Sequence, residues 1–294
     1  MLRSTFVLLL AIGLLPLTVQ ARERVVSVKD VHSFANTDKV RVRHVALDLD
    51  VSFERKQLEG TVTLTIERIA SSTNELVLDT RDLTIRGVET SPDGKTFAKT
   101  DFALGAAQPA LGAPLTITLP SDARYVRVRY NSSPDAGALQ WLEPSQTAGK
   151  KLPFLFSQGE SALTRTWIPL QDTPQIRQTY SARIHTPKEF FAVMSAVNDP
   201  NAPRDGDFSF EMQQPVPSYL IAIAVGDIAF REMGPRTGVY AEPSVVERAA
   251  YEFADTEKMI DAAARLYGPY RWGRYDILVL PPSFPFGGQE NPRL

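Results

Sequence analysis

Two neighbouring segments near the start of the chain alternate strictly between apolar and polar residues. In residues 45–53 every second residue is apolar, and residues 61–66 repeat the pattern with threonines between the apolar positions. A polar turn ending at Gly60 separates the two segments. Because successive side chains of a strand point to opposite faces, a period of two requires strands with one buried face. The sequence therefore predicts an antiparallel pair at the start of a β-sheet.

Six further short segments have the composition of strands and are separated by clusters of Gly, Pro, Asn and Asp. They are residues 75–78, 83–88, 115–119, 125–130, 190–195 and 219–226. Many short strands with turn residues between them are typical of an antiparallel sandwich or open sheet. We expect a mainly β fold whose first, antiparallel β-rich domain covers residues 22–227.

The pattern changes after residue 227. Apolar residues recur at helical spacing and a Gly268-Pro269 pair ends the helical stretch. These apolar residues are Val245, Ala249, Phe253, Ile260, Ala263 and Leu266. The short apolar segment "YDILVLPP" follows and predicts a buried strand. Residues 228–294 are therefore interpreted as the beginning of a second, mixed α+β domain, incomplete in this sequence.

Residues 1–21 have the pattern of a secretory signal peptide. Arg3 supplies a positive charge, residues 6–15 are an unbroken apolar run, and Val19 and Ala21 fit the small-residue cleavage pattern. A membrane anchor is the alternative, but the run is about half of the roughly 20 residues that span a bilayer. We expect cleavage after Ala21 and a secreted or periplasmic protein. The absence of cysteine excludes disulfides and a lipid-modified cysteine.

The balance of charges argues against functions that need a strongly basic surface. The chain has 32 basic and 34 acidic residues, with no long run of one sign. Proteins that bind nucleic acid or anionic membranes usually carry basic patches. We therefore expect no nucleic acid as partner, and no membrane after removal of the signal peptide.

The segment "PFGGQEN" near the last residue has the composition of a ligand-binding loop. Gly287 and Gly288 would allow a peptide backbone to approach closely, and Glu290 places a carboxylate beside that track. A plain Gly-Gly turn with a solvated Glu and a structural Asn is the alternative interpretation.

A second polar segment supplies the groups that a cation site would need. Gln158 and Glu160 lie in "FSQGES". A primary ammonium has three donors, which two carboxylates and one Gln carbonyl could satisfy. Glu160 facing Glu290 would therefore form an amine pocket. A surface ion pair between Glu160 and Arg165 is the alternative.

The loop "PPSFPFGGQEN" resembles the G-x-M-E-N signature of the aminopeptidase N family of zinc gluzincins, and is most similar to its leukotriene A hydrolase and aminopeptidase B-like branch. Seven other segments resemble that branch in the same order, so that the resemblance covers residues 40–292. They are "LVLDTRDLTI", "ALQWLEPSQTAGK", "LFSQGES", "QDTP", "PSYLIAIAVG", "MGPRTGVY" and "AYEFADTEKM".

The resemblance implies a saddle-like β-rich domain followed by a thermolysin-like catalytic domain, and a zinc-dependent aminopeptidase acting on peptides with a free N-terminus. It implies that Glu160 and Glu290 bind the substrate amine. The glycine pair would lie along the substrate backbone and Gln158 near the amine. Holding the ammonium at a fixed distance from the reacting bond would restrict cleavage to the first peptide bond.

The resemblance also implies a zinc ion held by H-E-x-x-H on a helix. The chain has three histidines, His32, His44 and His185, and no two have that spacing. His44 and His185 are interpreted as surface or packing residues. We expect that the sequence stops before the zinc helix, and that this chain alone is inactive.

Two departures from the family pattern affect the predicted substrate. Gln289 replaces the usual Met, so an apolar contact becomes polar at the pocket wall. Phe286 stands where the epoxide hydrolase branch commonly has Tyr, and Glu160 is more similar to the general aminopeptidases. Both observations favour peptides over lipid epoxides. An epoxide hydrolase and a non-catalytic peptide-binding protein remain the alternative functions.

Overall fold

The computed structural model describes residues 30–284 and 287–294 of the chain. The predicted signal peptide and Phe286 lie outside the described residues. Seventeen strands and two α-helices occur along the described chain, and both α-helices precede the last strand. The strands are β1 (Val40–Ser52), β2 (Gln57–Arg68), β3 (Glu75–Thr80), β4 (Thr84–Ser91), β5 (Ala98–Lys99), β6 (Phe102–Leu104), β7 (Ala113–Thr118), β8 (Tyr125–Asn131), β9 (Leu139–Leu142), β10 (Phe154–Ser157), β11 (Gln178–His185), β12 (Phe191–Met194), β13 (Asp207–Val216), β14 (Ile223–Gly226), β15 (Ala229–Gly234), β16 (Thr237–Ala241) and β17 (Tyr275–Leu278).

The largest sheet confirms the prediction made from the alternating segments. Its seven strands have the order β13-β11-β1-β2-β8-β4-β5. Strands β1 and β2 are antiparallel, with Val45 opposite Leu64 and Leu47 opposite Val62. All four of these side chains are buried, as the period of two requires. The pairing of β1 with β11 is parallel, which the expectation of an antiparallel sheet did not include.

Two smaller sheets complete the β-rich part, with strand orders β12-β14-β10-β9 and β3-β7-β6. Their buried apolar residues belong to the same core as those of the seven-stranded sheet. Strand β10 lies inside its sheet, between β9 and β14. Packing around β10 is tight, because a Cβ added to Gly226 of β14 would lie 2.2 Å from the buried ring of Phe154. This strand therefore provides a rigid base for the residue that follows it, Gln158.

Residues after 227 form a separate three-stranded sheet with the order β15-β16-β17. Helices α1 (Val246–Glu252) and α2 (Thr256–Tyr267) connect β16 to β17, which are parallel. A second small apolar cluster lies here, formed by residues of β16 and α1. The predicted helical stretch and the strand after it, β17, are both present, and β15 and β16 precede them. The boundary between two domains at residue 227 stays a prediction.

Three details in this region differ from expectation. Phe253 is the C-cap of α1, so the helical stretch is two helices and not one. Ala263 and Leu266 are exposed rather than buried, and of the residues on that spacing in α2 only Ile260 is buried. Strand β17 is only partly buried, with Tyr275 exposed. Helical period alone did not show which face of α2 is covered by other residues.

Glu242 joins the two parts of the chain. Its side chain is buried and accepts hydrogen bonds from the backbone amides of Ala148 at 2.7 Å and Gly149 at 2.8 Å. A buried carboxylate with two charge-assisted partners fixes the loop after β9 against the segment before α1. Within residues 30–284 and 287–294, no helix is long and apolar enough to cross a membrane.

Candidate functional site

A cavity of about 750 Å³ lies where the four-stranded sheet meets the last segment of the chain. One wall is the end of β10 with Gln158, and another is the segment Gly287–Leu294. Strand β17 and the residues after it contribute a third wall. A concave site lined by apolar side chains with a few polar groups is the usual form of a ligand pocket.

Gln158 connects two of these walls directly. Its side-chain Nε2 donates to Oε1 of Gln289 at 3.2 Å, across 131 positions of sequence. The backbone of Gln158 is fixed as well, since its N–H donates to the carbonyl of Ala138 at 2.8 Å. The structure therefore brings together two segments that the sequence analysis selected independently.

Glu290 and the glycine pair lie on the same cavity. Gly287, Gly288 and Glu290 all line it, and all three are exposed. No described atom lies within 4 Å of a Cβ added to either glycine, so the space in front of their backbone is open to a ligand. A carboxylate thus lies beside a short stretch of backbone that carries no side chains.

Glu160 has a different position. It is exposed and does not line the described part of the cavity, although it follows Gln158 by two residues. The alternative that pairs it with Arg165 is wrong. Arg165 is fully buried, and its Nε donates to Oδ2 of Asp172 at 2.9 Å. The roles of all five selected residues in substrate binding stay predictions.

The buried Arg165 holds the segment that carries Gln158 and Glu160. Its guanidinium also donates to three backbone carbonyls, those of Leu111, His32 and Asp172. Asp172 in turn accepts the hydroxyl of Ser218 at 2.6 Å. Sequence reasoning missed this cluster, because a charged residue in a polar segment is usually exposed.

A second buried carboxylate, Asp79, lies beside this cluster. It accepts the Ser33 hydroxyl at 2.6 Å and the backbone amide of Asp172 at 2.9 Å. Burial raises the pKa of Asp79, although Arg165 and these hydrogen bonds act in the opposite direction. The cluster therefore depends on several partners that lie far apart in the sequence.

Two titratable groups of the cavity lining, Tyr270 and Asp276, have shifted pKa values. Burial raises the pKa of the Tyr270 hydroxyl to about 12, which keeps it neutral. Burial also raises the pKa of Asp276, against the hydrogen bonds that this carboxylate accepts from Arg274 at 2.8 to 3.2 Å. Two carboxylates line the cavity, and Arg274 pairs with that of Asp276. Among the described residues, none forms an ion pair with the other, Glu290.

The described residues do not fit a zinc ion. Among them, no group of three or more His, Asp or Glu side chains is arranged to hold a metal. Both ring nitrogens of His44 contact hydroxyls, Thr179 at 2.7 Å and Ser181 at 3.0 Å. His185 lies between two carboxylates, those of Asp48 and Asp207. Both histidines are cross-strand contacts of the large sheet, and His32 is exposed.

Three polar residues of the cavity wall were not selected from the sequence for binding. Gln289, Asn291 and Arg293 all line it. Within the described part of the chain, Nε2 of Gln289, Oδ1 of Asn291 and Nε of Arg293 are buried without a hydrogen-bond partner. In the sequence, only the replacement of the usual Met by Gln289 indicated a polar group at this wall. The burial of the three atoms could not be predicted, because it depends on the fold.

Comparison with known proteins identifies the class. A family model described as the Peptidase M1 N-terminal domain matches residues 41–220, which is more than half of the chain. The chain therefore belongs to the M1 peptidase family. The mainly β fold and the recognised resemblance are both confirmed by this match and by the structural neighbours.

Curated relatives include two kinds of enzyme. Leukotriene A-4 hydrolase of Xenopus laevis is 43% identical over 275 residues, covering 90% of this chain and 44% of the relative. Leucine aminopeptidase 2 of Yarrowia lipolytica is 40% identical over 272 residues, covering 90% of this chain and 40% of the relative. The chain thus spans less than half the length of these relatives.

Solved structures give the same result. Native yeast LTA4 hydrolase superposes with a TM-score of 0.85 at 35% identity, covering 95% of this chain and 44% of that one. An M1 zinc metallopeptidase from Deinococcus radiodurans has a TM-score of 0.65 at 21% identity, covering 85% of this chain and 59% of that one. The second likeness shows the fold.

Proposed function

We propose that this chain supplies the amine-binding part of the active site of an exported zinc-dependent aminopeptidase. The observation that carries the proposal is the cavity in which Gln158 meets the Gly287–Glu290 segment, joined by the amide hydrogen bond from Gln158 to Gln289. Membership of the M1 family supports hydrolysis of peptides as the reaction class. Glu160 and Glu290 would bind the substrate ammonium.

The chemistry of these residues explains why such a site would act on chain ends. A free N-terminus carries a positive charge, and an internal peptide segment does not. Glu290 offers a carboxylate and Gln158 a side-chain carbonyl, since its amide nitrogen is already used in the bond to Gln289. Each charge-assisted hydrogen bond to the ammonium contributes about 1.5 to 3 kcal/mol. The side chain of Glu160 is exposed outside the described cavity lining, and would have to move to add its carboxylate.

Zinc would be held by residues that this sequence does not contain. M1 relatives include zinc metallopeptidases, and zinc would supply polarisation of the scissile carbonyl and activation of water. The three histidines of this chain do not have the H-E-x-x-H spacing. We therefore expect no peptidase activity from the 294-residue chain alone.

Two further features belong to the same proposal. Residues 1–21 would direct export and be removed after Ala21, which places the protein outside the cell or in the periplasm. Residues 228–294 would begin a thermolysin-like catalytic domain. Their own sheet and apolar cluster support this boundary.

The proposal is tested by hydrolysis of aminoacyl arylamides by a longer protein that contains this chain and a zinc-binding segment. Glu290→Ala should lower kcat/KM by at least about tenfold, the equivalent of one charge-assisted hydrogen bond. Glu54→Ala removes an exposed glutamate outside the cavity and should leave the rate unchanged. Equal rates for both variants would contradict the assignment of the amine site.

The relative named leukotriene A-4 hydrolase supports one alternative, an epoxide hydrolase. Hydrolysis of a lipid epoxide without release of arylamine would favour it. A non-catalytic peptide-binding protein is the other alternative. Calorimetry of the purified chain with a short peptide and its N-acetylated form separates the possibilities. Binding abolished by acetylation supports amine capture, and the absence of heat from both peptides excludes it.

A further inference from the structure

A serine, a histidine and a threonine form a chain of hydrogen bonds on the seven-stranded sheet, on the face that points away from the core. Nε2 of His44 lies 3.0 Å from the Ser181 hydroxyl, and Nδ1 lies 2.7 Å from the Thr179 hydroxyl. All three side chains are partly exposed, so a small molecule in solution can reach them. The group lies outside the cavity described above.

A β-bulge turns His44 toward this face. Val40 and Val42 are buried, so strict alternation along β1 would bury His44 as well. The register between β1 and β2 shifts between Val42 and His44, and after the shift the buried positions are Val45 and Leu47. Bulges redirect side chains in this way and are frequent next to active sites.

The hydrogen-bond partners fix the tautomer of His44. The Thr179 hydroxyl donates to the backbone carbonyl of Arg43 at 3.3 Å, so its oxygen accepts from the Nδ1–H of His44. Nε2 then carries no hydrogen and accepts from the Ser181 hydroxyl. A nucleophile beside a base that a third group orients is the arrangement that activates serine in acyl transfer.

The surroundings keep His44 in its neutral form. Burial lowers the pKa of His44 below 6.5, although the charge of Glu211 on β13 acts in the opposite direction. The β11 side chains that contact the ring are hydroxyls, and Thr65, opposite His44 on β2, carries no charge. The neighbouring Arg43 is paired with Glu67 of β2. The imidazole can therefore accept a proton at neutral pH.

The neighbours of Ser181 indicate which acyl group it could take. Ala46 lies opposite Ser181 on β1, and Thr63 lies opposite Ala46 on β2. These two short side chains leave space beside the Ser181 hydroxyl. Glu211 lies opposite Ser181 on β13 and would repel an anionic group. A small uncharged acyl group therefore suits this position.

We propose that Ser181, with His44 as its general base, is an acyl-accepting nucleophile for small activated esters, and that Thr179 is a positioning residue. Oγ of Ser181 attacks the ester carbonyl carbon while its proton passes to Nε2 of His44. The bond from that carbon to the leaving oxygen breaks, and the alcohol leaves with the proton. Water then cleaves the acyl-serine with the same base and releases the acid. The reaction needs neither zinc nor the amine site, so it does not depend on the function proposed above.

The test incubates the purified chain with p-nitrophenyl acetate and locates the acetyl groups by tandem mass spectrometry. Ser181 should be acetylated at least about a hundredfold faster than Ser209, an exposed serine of β13 on the same face. His44→Gln should lower the rate at Ser181 about a hundredfold, the lower end of the contribution of a general base. The rate should be constant above about pH 6.5 and fall as the pH drops through the lowered pKa of His44.

Thr179→Val tests the positioning role. It removes the acceptor of Nδ1 and should lower the rate at Ser181 about tenfold, the effect of one hydrogen bond. Thr179→Ser keeps the hydroxyl and should restore the rate. A merely structural role of Thr179 would lower the urea midpoint without this dependence on the hydroxyl.

Three outcomes would overturn the inference. Equal acetylation of Ser181 and Ser209, or none at Ser181, would show that the serine is not activated. A rate that His44→Gln leaves unchanged would show that His44 is not the base. If His44→Gln lowers the urea midpoint, the wild-type pH profile decides, and a rate at Ser181 that stays constant between about pH 4.5 and 7 excludes a histidine base.

Discussion

Removal of the Asp172 carboxylate is expected to be one of the most destabilising single changes in the β-rich part. Asp172 is 2% exposed and Arg165 is not exposed at all. Asp172→Ala removes the acceptor of two Arg165 donors, the backbone N–H at 3.1 Å and Nε at 2.9 Å, and of the Ser218 hydroxyl at 2.6 Å. The guanidinium would remain buried without its principal counter-charge.

The magnitude follows from the cost of an uncompensated buried charge. Breaking a buried ion pair by removing one partner costs about 3 to 5 kcal/mol. Asp79 lies 3.8 Å from the Arg165 guanidinium and supplies part of the lost compensation, so the lower half of that range is expected. Asp172→Asn keeps the shape and one acceptor oxygen, and should lie between wild type and Asp172→Ala.

Urea unfolding followed by tryptophan fluorescence measures the effect, because Trp167 is fully buried two residues after Arg165. The midpoint should fall without a change in slope. Glu59→Ala breaks the exposed ion pair with Arg55 and should cost less than about 1 kcal/mol.

The reasoning is refuted if Asp172→Ala is no more destabilising than this exposed control. A double variant provides a second check. Arg165→Met combined with Asp172→Ala removes both charges, and should cost less than the sum of the single changes, because no unpaired charge remains.

Three further measurements test other parts of the structure. Gly226→Ala should lower the free energy of unfolding by about 1 to 3 kcal/mol, because the added Cβ would lie 2.2 Å from the ring of Phe154. Gly87→Ala is the control. No described atom lies within 4 Å of the Cβ added there, so its free energy of unfolding should stay within about 0.5 kcal/mol of wild type. Glu242→Gln should cost about 1.5 to 3 kcal/mol in urea unfolding, because one of the two backbone amides loses its acceptor and the other keeps only a neutral one. Burial lowers the pKa of His185, but hydrogen bonds to Asp48 and Asp207 outweigh this effect and raise the net pKa above 6.5. Protonated His185 therefore stabilises the folded state fully below about pH 6.5. This contribution is lost as the pH rises through the pKa of His185 in the folded protein. His185→Gln should therefore flatten the pH dependence of the urea midpoint in that window, by less than about 1 kcal/mol, and an unchanged slope would contradict this assignment.

The period of two was sufficient to predict the first strand pair and its buried face, because burial of one face fixes the register of an amphipathic strand. The parallel contact of β1 with β11 was not predictable in this way. It joins residues more than 130 positions apart, such as His44 and Thr179, through a connection that the alternation does not specify. Local pattern determines strands, and their order in the sheet depends on long-range packing.

The sequence predicted the candidate site only in part, because residue types are local information and contacts between distant segments depend on the fold. The chemistry of Glu290 and the glycine pair can be read from their residue types. The meeting of Gln158 with Gln289 depends on the β10 strand and the last segment reaching one cavity, which only the fold determines. Glu160 shows that residue type alone does not determine whether a side chain lines the cavity. Its residue type suited the amine pocket, yet its side chain is exposed outside the described cavity lining.

An unpaired buried polar atom is not by itself evidence of function, and the same chain shows why. Nε1 of Trp167 and the hydroxyl of Tyr130 are also buried without a described partner, and both lie in the apolar core. No ligand can reach them, so they are a cost of packing large amphipathic side chains. Gln289 is a residue of the cavity wall beside Glu290, but its unpaired nitrogen is itself buried. The hydrogen bond from Gln158 to its Oε1 fixes the carboxamide, so the buried nitrogen cannot turn to water without breaking that bond. The unpaired nitrogen of Gln289 is therefore a cost of packing like those of Trp167 and Tyr130, and a ligand in the cavity can contact only the accessible atoms of the wall.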